Sequence, residues 1–291
     1  MNTQKFTLFT DSACDIPPEI LKKWNVRCIS LNYRFEDSDR IHHRYEISMH
    51  EFYDILRCGA GVKTSSPKTS TFVRAFEKEI AAGKDILYIV SSSAAGKVSA
   101  HAEKAASLLK NKYPDRKIVI VDSRTVSSGC GLLIYHTVRQ ICKGADFSEA
   151  AQYAADKRRD ICNFFTVEDM SRLKKSSLIS GDLSVAGTLA GVKPVFRIDR
   201  SGGVSLSSTS RGRKASVAAL ADTYAEKASH PGNGTVFISH ADCRSDAEEL
   251  AYILKKRFRI SAEIFPIGPA VGSHSGPGTL SLSFVGNNMT F

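Results

Sequence analysis

A chain of 291 residues, 42% hydrophobic and 24% charged, has room for two unequal domains. It buries roughly 75% of its unfolded surface, so its stability requires neither a metal nor a disulfide. The net charge of +10 is spread out, with 25 Lys and Arg against 19 Asp and Glu in residues 1–160 and 15 against 11 in the rest. Without a helix-turn-helix, zinc or RNP signature beside it, this excess argues against specific nucleic-acid binding.

The opening MNTQKFTLFTDS lacks the basic and apolar regions of a signal peptide. No apolar run approaches the ~20 residues that cross a bilayer. The expectation is a cytoplasmic protein with no stable membrane insertion. Seven cysteines without a CxxC pair read as reduced thiols and mostly as small buried side chains. Cys130, between two glycines, is the candidate should one of them be reactive.

In chain order, Phe6 to Thr10 is a compact apolar strand ending at Asp11-Ser12, and Pro17-Pro18 opens a helix. Val26 to Leu31 reads as a second strand. Helices are predicted over 48–57 and 69–82, with a polar, glycine-containing loop from Gly59 to Pro67 between them. Ile86 to Val90 is a buried strand followed by Ser91-Ser92-Ser93 and a helix to about residue 112. Ile118 to Val121 repeats the pattern, ending at Asp122-Ser123 before a helix carrying Leu132, Leu133 and Val138. Strands that hand over to helices through small hydroxyl residues predict βαβ units in a mainly parallel sheet.

The second half changes character. A helix near 146–159 precedes a strand over 161–165, a short helix over 167–175 and a small-residue segment from Ser184 to Gly191. A hairpin over 192–207 follows, turning at Arg200 to Gly203. Then come a helix (213–228), strand (235–240), helix (244–257), strand (260–267), the glycine-rich stretch 268–278 and a last strand over 279–285. The reading is α/β, with an N-terminal domain over 1–150, a C-terminal domain over 151–291 built on a mixed sheet, and a ligand cleft between them.

Ligands of open parallel sheets sit beyond the carboxyl ends of the strands. The strand-end loops here are rich in serine and threonine. Any one hydroxyl reads as a helix cap, whereas several converging on one sheet edge read as donors to an anionic head. No G-x-S-x-G elbow, P-loop or kinase signature is present, and Gly129-Cys-Gly131 is only half of a dinucleotide fingerprint. His42-His43 completes no metal site, and His101, His136 and His240 have no special setting. His274, among five glycines and prolines, reads either as a donor to an anion or as a structural histidine. The expectation is no catalysis by this chain, no cofactor and no metal.

Several stretches then resemble one family. They are Phe9-Thr-Asp-Ser-Ala-Cys-Asp-Ile-Pro17, Lys63-Thr-Ser-Ser-Pro67, Ile89-Val-Ser-Ser92, Val121-Asp-Ser-Arg124, Ser180-Gly181, Val192-Lys-Pro194, Arg211-Gly-Arg-Lys-Ala215 and Ile267 to Gly278. Together they are similar to the DegV family, bacterial fatty-acid-binding proteins that present acyl chains to a fatty acid kinase. The resemblance implies a long-chain fatty acid held between two α/β domains, with the kinase supplying the chemistry. It implies a head-group site at Thr64, Ser65, Ser93, Ala95, Gly96, Lys97 and His274. Arg211 and Arg213 would lie near the partner or the cleft mouth.

Phe165, Val185, Leu189, Val195 and Ile267 are the candidates for the acyl-chain wall, though each could be simple core. The chain departs from the family in having Ala95 for a serine, Lys97 for a threonine, and Ser176-Ser-Leu178 where a Gly-Gly-Arg stretch is usual. Lys97 or Ser93 would then take over as donor. A regulator or small-anion binder that has lost fatty-acid transfer is the alternative, and a stand-alone serine hydrolase a distant third.

Overall fold

A computed structural model describes residues 5–44, 46–175 and 191–287. The chain begins with β1 (Phe6–Asp11), α1 (Pro18–Lys23), β2 (Val26–Ile29), β3 (Asn32–Phe35), the two-residue β4 (His42–His43) and α2 (Met49–Arg57). Next come β5 (Val62–Ser65), α3 (Thr69–Ala81), β6 (Asp85–Val90), α4 (Val98–Lys112), β7 (Ile118–Asp122), α5 (Ser128–Cys142) and α6 (Phe147–Lys157). The second half holds β8 (Ile161–Thr166), α7 (Ser171–Lys175), β9 (Val192–Ile198), β10 (Val204–Arg211), α8 (Arg213–Lys227), β11 (Val236–His240), α9 (Arg244–Phe258), β12 (Ala262–Pro266), α10 (Pro269–Ser275) and β13 (Leu280–Val285).

The first sheet has the order β2-β1-β6-β7 and is parallel throughout. Its central strands are apolar on both faces because both are covered. Phe6, Leu8, Leu87 and Ile89 pack towards α5 and α6. Phe9, Ile86, Tyr88 and Val90 meet α3 and α4 through Phe72, Phe76, Ala102 and Leu109. The second sheet has the order β10-β9-β8-β13-β11-β12 and is antiparallel except between β11 and β12. One face packs on α8 and α9 through Phe164, Val217, Leu220, Leu250 and Leu254.

Helix α5 joins the two halves. Nine of its residues are buried, and it touches β8, β11 and β13 of the second sheet as well as β6 of the first. A helix apolar around most of its circumference is one enclosed on both sides. The layers therefore run helices, parallel sheet, α5, mixed sheet, helices.

Three elements escape the periodicity. The strand expected over 26–31 stops at Ile29, and β3 follows it. The polar stretch 59–67 contains β5, which pairs with β3 in a small antiparallel sheet of order β4-β3-β5. Tyr33 and Phe35 of that sheet pack with Phe52 and Tyr53 of α2 and with Ile267. The glycine-rich stretch after Pro266 forms α10 rather than a loop.

Cys14, Cys130 and Cys162 are buried, whereas Cys28, Cys58 and Cys142 are exposed, and none is paired. Cys130 is not a reactive thiol. It is fully buried, and that burial pushes it well above its ordinary range. Among the described residues no helix is long and apolar enough to cross a membrane.

Candidate functional site

The carboxyl ends of β1, β6 and β7 face the free side of the second sheet, and a cavity of about 210 Å3 lies between them. Most of its wall is apolar, from Val126, Phe165, Leu173, Ile198, Val204 and Ile267. Strand alternation explains which face each residue takes. On β8, Asn163 and Phe165 line the cavity, while Cys162 and Phe164 point into the core against α8.

The motif at the end of β1 shapes this region without projecting an ionised group into it. The buried Asp11 carboxylate accepts hydrogen bonds from the Ala13 N–H (3.0 Å), the Ser91 N–H (2.9 Å), the Ser91 hydroxyl (3.0 Å) and the Tyr88 hydroxyl (3.2 Å). Burial raises its pKa and these donors oppose the rise. Ser12 Oγ accepts the Leu31 N–H at 2.9 Å, fixing the turn after β2. Asp15, also raised by burial, faces Arg44 Nη2 at 3.4 Å and accepts the Gly268 N–H at 2.8 Å. One buried carboxylate thus ties the β1 loop to the start of α10.

Helix α10 begins at Pro269, whose missing N–H costs nothing in a first turn. Gly272 lets it lie against α2: a side chain there would run into the Tyr53 ring, whose hydroxyl donates to the Ile267 carbonyl at 2.8 Å. This close approach aims His274 at the end of β5. His274 Nε2 and Thr64 Oγ1 are 3.1 Å apart, and both line the cavity. Burial lowers the His274 pKa, so the ring is neutral near pH 7.

Thr64, Ser65, Ala95, Gly96, Phe165, Ile267 and His274 all line this one cavity. Ser93 does not; it is exposed, and its hydroxyl donates to Asp122 Oδ2 at 2.6 Å. Lys97 is the exposed residue that precedes α4 and is also not on the wall. Val195 is fully buried on the opposite sheet face, among Phe164, Val217 and Leu220, because β9 alternates. Val185 and Leu189 lie outside the described residues, as do Ser180 and Leu178. Arg211 is exposed at the end of β10. Arg213 forms an ion pair with Asp246 at 2.8 Å.

Several lining groups had no signal strong enough to single them out. Ser66, Ser91, Ser92 and Ser127 sit on strand-end loops, Asn163 and Ser281 on strands, and Ser275 directly follows His274. Ser275 Oγ is buried with no hydrogen-bond partner among the described residues. A buried hydroxyl left unpaired is costly, and this one is available to a ligand. Its signal was its place beside His274 in a quoted motif. Asn163 and Ser281 belong to a buried relay: Ser281 Oγ donates to Asn163 Oδ1 at 2.8 Å, and Asn163 Nδ2 donates to Thr125 Oγ1 at 3.0 Å.

Among the described residues no Lys, Arg, Asp or Glu lines the cavity. Elsewhere, His50, Asp54 and Asp242 bring ligand atoms within 4.8 Å of one another at the surface. Arg57 already neutralises that cluster, with Nη1 2.8 Å from Asp54 and 2.6 Å from Asp242, so the cluster does not fit a cation.

Fold and site define an α/β protein of two main sheets and one small one, with an interior cavity, apolar over most of its wall and hydroxyl-rich where β5 meets α10. A family model described as "Uncharacterised protein, DegV family COG1307" matches residues 5–287. A DegV domain-containing protein of Clostridium perfringens is 32% identical over 286 residues, 98% of each chain. The chain belongs to the DegV family.

Among solved structures, a DegV family protein from Thermus thermophilus, described for its fatty acid binding, superposes with a TM-score of 0.87 at 23% identity. A stearic-acid-binding protein from Eubacterium ventriosum gives the same score and identity, and both comparisons cover 98% of this chain and 100% of the other. DegV of Bacillus subtilis, a fatty acid binding protein, gives 0.84 at 20% identity, over 98% of this chain and 100% of the other. These likenesses establish the shared fold.

Proposed function

We propose that this protein binds one long-chain fatty acid, its carboxylate beside Thr64 and His274 and its tail along Phe165, Leu173, Val204 and Ile267. The observation that carries this reading is the chemistry of the wall. Thr64, Ser65, Ser275 and one neutral imidazole meet at one place, apolar side chains form most of the rest, and among the described residues no full charge is present. A hydroxyl donates to a carboxylate without bringing a counter-ion. Each buried methylene contributes roughly 0.8 kcal/mol, so the tail supplies most of the affinity. A small anion without a tail fits less well, because no cationic side chain among the described residues awaits it. The relatives described as fatty acid binders support the reading.

Ser275 takes the donor role that a serine at position 95 would fill, since Ser93 is engaged with Asp122 and Lys97 is off the wall. On this reading the N-terminal 150 residues supply Thr64 and the strand-end loops to the head-group site, and the C-terminal part supplies His274, Ser275 and the tail wall. The chain carries no chemistry of its own. A kinase subunit in the cytoplasm acts on the carboxylate, and the exposed Arg211 is available to that partner.

Mass spectrometry of an organic extract of the purified protein tests the binding. We expect C14–C18 acids near one per chain. Thr64→Val, which removes a donor to a charged group worth about 1.5–3 kcal/mol, should lower fatty-acid affinity roughly tenfold to a hundredfold. An extract holding only polar molecules would overturn the assignment. The kinase role is tested separately, by ATP-dependent turnover of the bound acid with a kinase subunit, which Arg211→Glu should impair while acid content stays unchanged.

A further inference from the structure

A second recess, of about 620 Å3, shares Asn163 and Ile198 with the wall of the first cavity. Five arginines line it: Arg124 after β7, Arg158 and Arg159 after α6, Arg197 on β9, and Arg200 in the β9–β10 turn. Among the described residues Asp199 is the only acidic one on its wall. Its Oδ1 accepts hydrogen bonds from the Ser201 N–H (2.8 Å), the Ser201 hydroxyl (2.5 Å) and the Gly203 N–H (3.1 Å).

Among the described residues Arg124, Arg158 and Arg159 make no ion pair. Arg124 Nη1 donates to the Arg200 carbonyl at 3.2 Å, and Arg158 Nη1 donates to the Asp122 carbonyl at 2.8 Å. Arg158 Nε is buried with no partner. Burial and then Arg124 lower the Arg158 pKa, with Arg159 adding to the effect and Asp122 and Asp156 opposing it. Five guanidinium groups crowded into one recess with a single carboxylate on its described wall, one that already accepts from Ser201 and Gly203, repel one another until an anion arrives. Guanidinium forks match phosphate oxygens two at a time.

We propose that this recess binds a small oligophosphate, a molecule with two or more linked phosphate groups, through Arg124, Arg158 and Arg159. Several forks facing one recess suit several phosphates better than one, and a recess suits a small molecule better than an extended chain. The Arg124–Arg200 contact places the ligand where the strand-end loops of the first sheet meet the β9–β10 turn. Ser92 Oγ also donates to the Gly202 carbonyl in that turn, at 3.2 Å.

Calorimetric titration of the full-length protein with tripolyphosphate at physiological salt tests this. Binding should saturate at one per chain and be about tenfold tighter than for orthophosphate. Arg159→Gln at an exposed position, and Arg158→Lys, which keeps the charge but not the fork, should each weaken it about fivefold or more. Lys255→Gln with Lys256→Gln, on distant α9, removes more charge and should leave it unchanged. Circular dichroism and bound-acid content confirm that each variant is folded. The proposal fails if tripolyphosphate does not saturate below the millimolar range, or if the α9 variant loses as much as the recess variants. It also fails if an oligo-aspartate peptide binds more tightly, which would make the recess a seat for an acidic protein segment.

Discussion

Thr64 and His274 stand 210 residues apart in the chain and 3.1 Å apart in space, and each is set by residues off the cavity wall. Gly272 and Tyr53 aim the histidine; pairing with β3 aims the threonine. The motif residues Asp11, Ser12 and Asp15 are structural in the same sense, since they hold loops by satisfying backbone N–H groups. His136 shows what burial alone does to a side chain. Among the described residues its Nε2 has no partner, and desolvation, followed by Lys157 and Arg139, lowers its pKa to about 4. In the unfolded chain the ring titrates near 6.5, so between these values only the unfolded state takes up a proton. The contribution is therefore complete above pH 6.5 and is lost as pH falls towards 4, by at most on the order of 3 kcal/mol. Asp11 and Asp15, raised by burial, act in the opposite sense in acid. Comparison with His136→Gln isolates the histidine. Urea unfolding from pH 6.5 to 4 should show a shallower loss in the variant, and equal slopes would contradict the assignment.

Among the elements, α5 is the one on which the two sheets depend, and Gly129 in its first turn decides how closely it can lie. A side chain there would collide with Thr125 and Asn163, both in the buried relay. Helix propensity alone favours alanine over glycine by roughly 0.5–1 kcal/mol. Overpacking costs typically about 1–3 kcal/mol, so the contact wins. Gly129→Ala should lower stability by about 1–2 kcal/mol in denaturant unfolding, and a stabilised variant would mean that the relay gives way freely. The sequence offered Gly129-Cys-Gly131 as only half of a dinucleotide fingerprint, and the glycines serve helix packing. The central strands and most helices were legible, because their apolar spacing reports which faces are covered. Strands β3 and β5 were not, since one face of each is polar and their partners lie far along the chain.

At the scale of the molecule, the cavity belongs to neither sheet alone. Its wall takes loops from the first sheet, a face of the second, and α7 and α10. A ligand seated there bridges both halves and stabilises the folded state by mass action. At a hundredfold excess over Kd this amounts to about 2.7 kcal/mol, or a rise in Tm of roughly 5–10 °C. Delipidated protein should melt that much lower in calorimetry and recover when palmitate is added. A Tm indifferent to delipidation would mean that no such ligand spans the two sheets.

The succession of the central strands and most helices, the parallel character of the first sheet and the hydroxyl-rich strand ends were determined by the sequence alone, because local spacing and turn chemistry encode them. Which hydroxyls share one cavity was decided only in three dimensions. Ser93 carries the same group as Ser275, yet one bonds to Asp122 at the surface and the other, on the wall, has no partner among the described residues. Val195 and Phe165 are equally apolar, yet strand alternation buries one against α8 and turns the other towards the cavity. Direction and neighbours are properties of packing between distant segments, and no local pattern carries them.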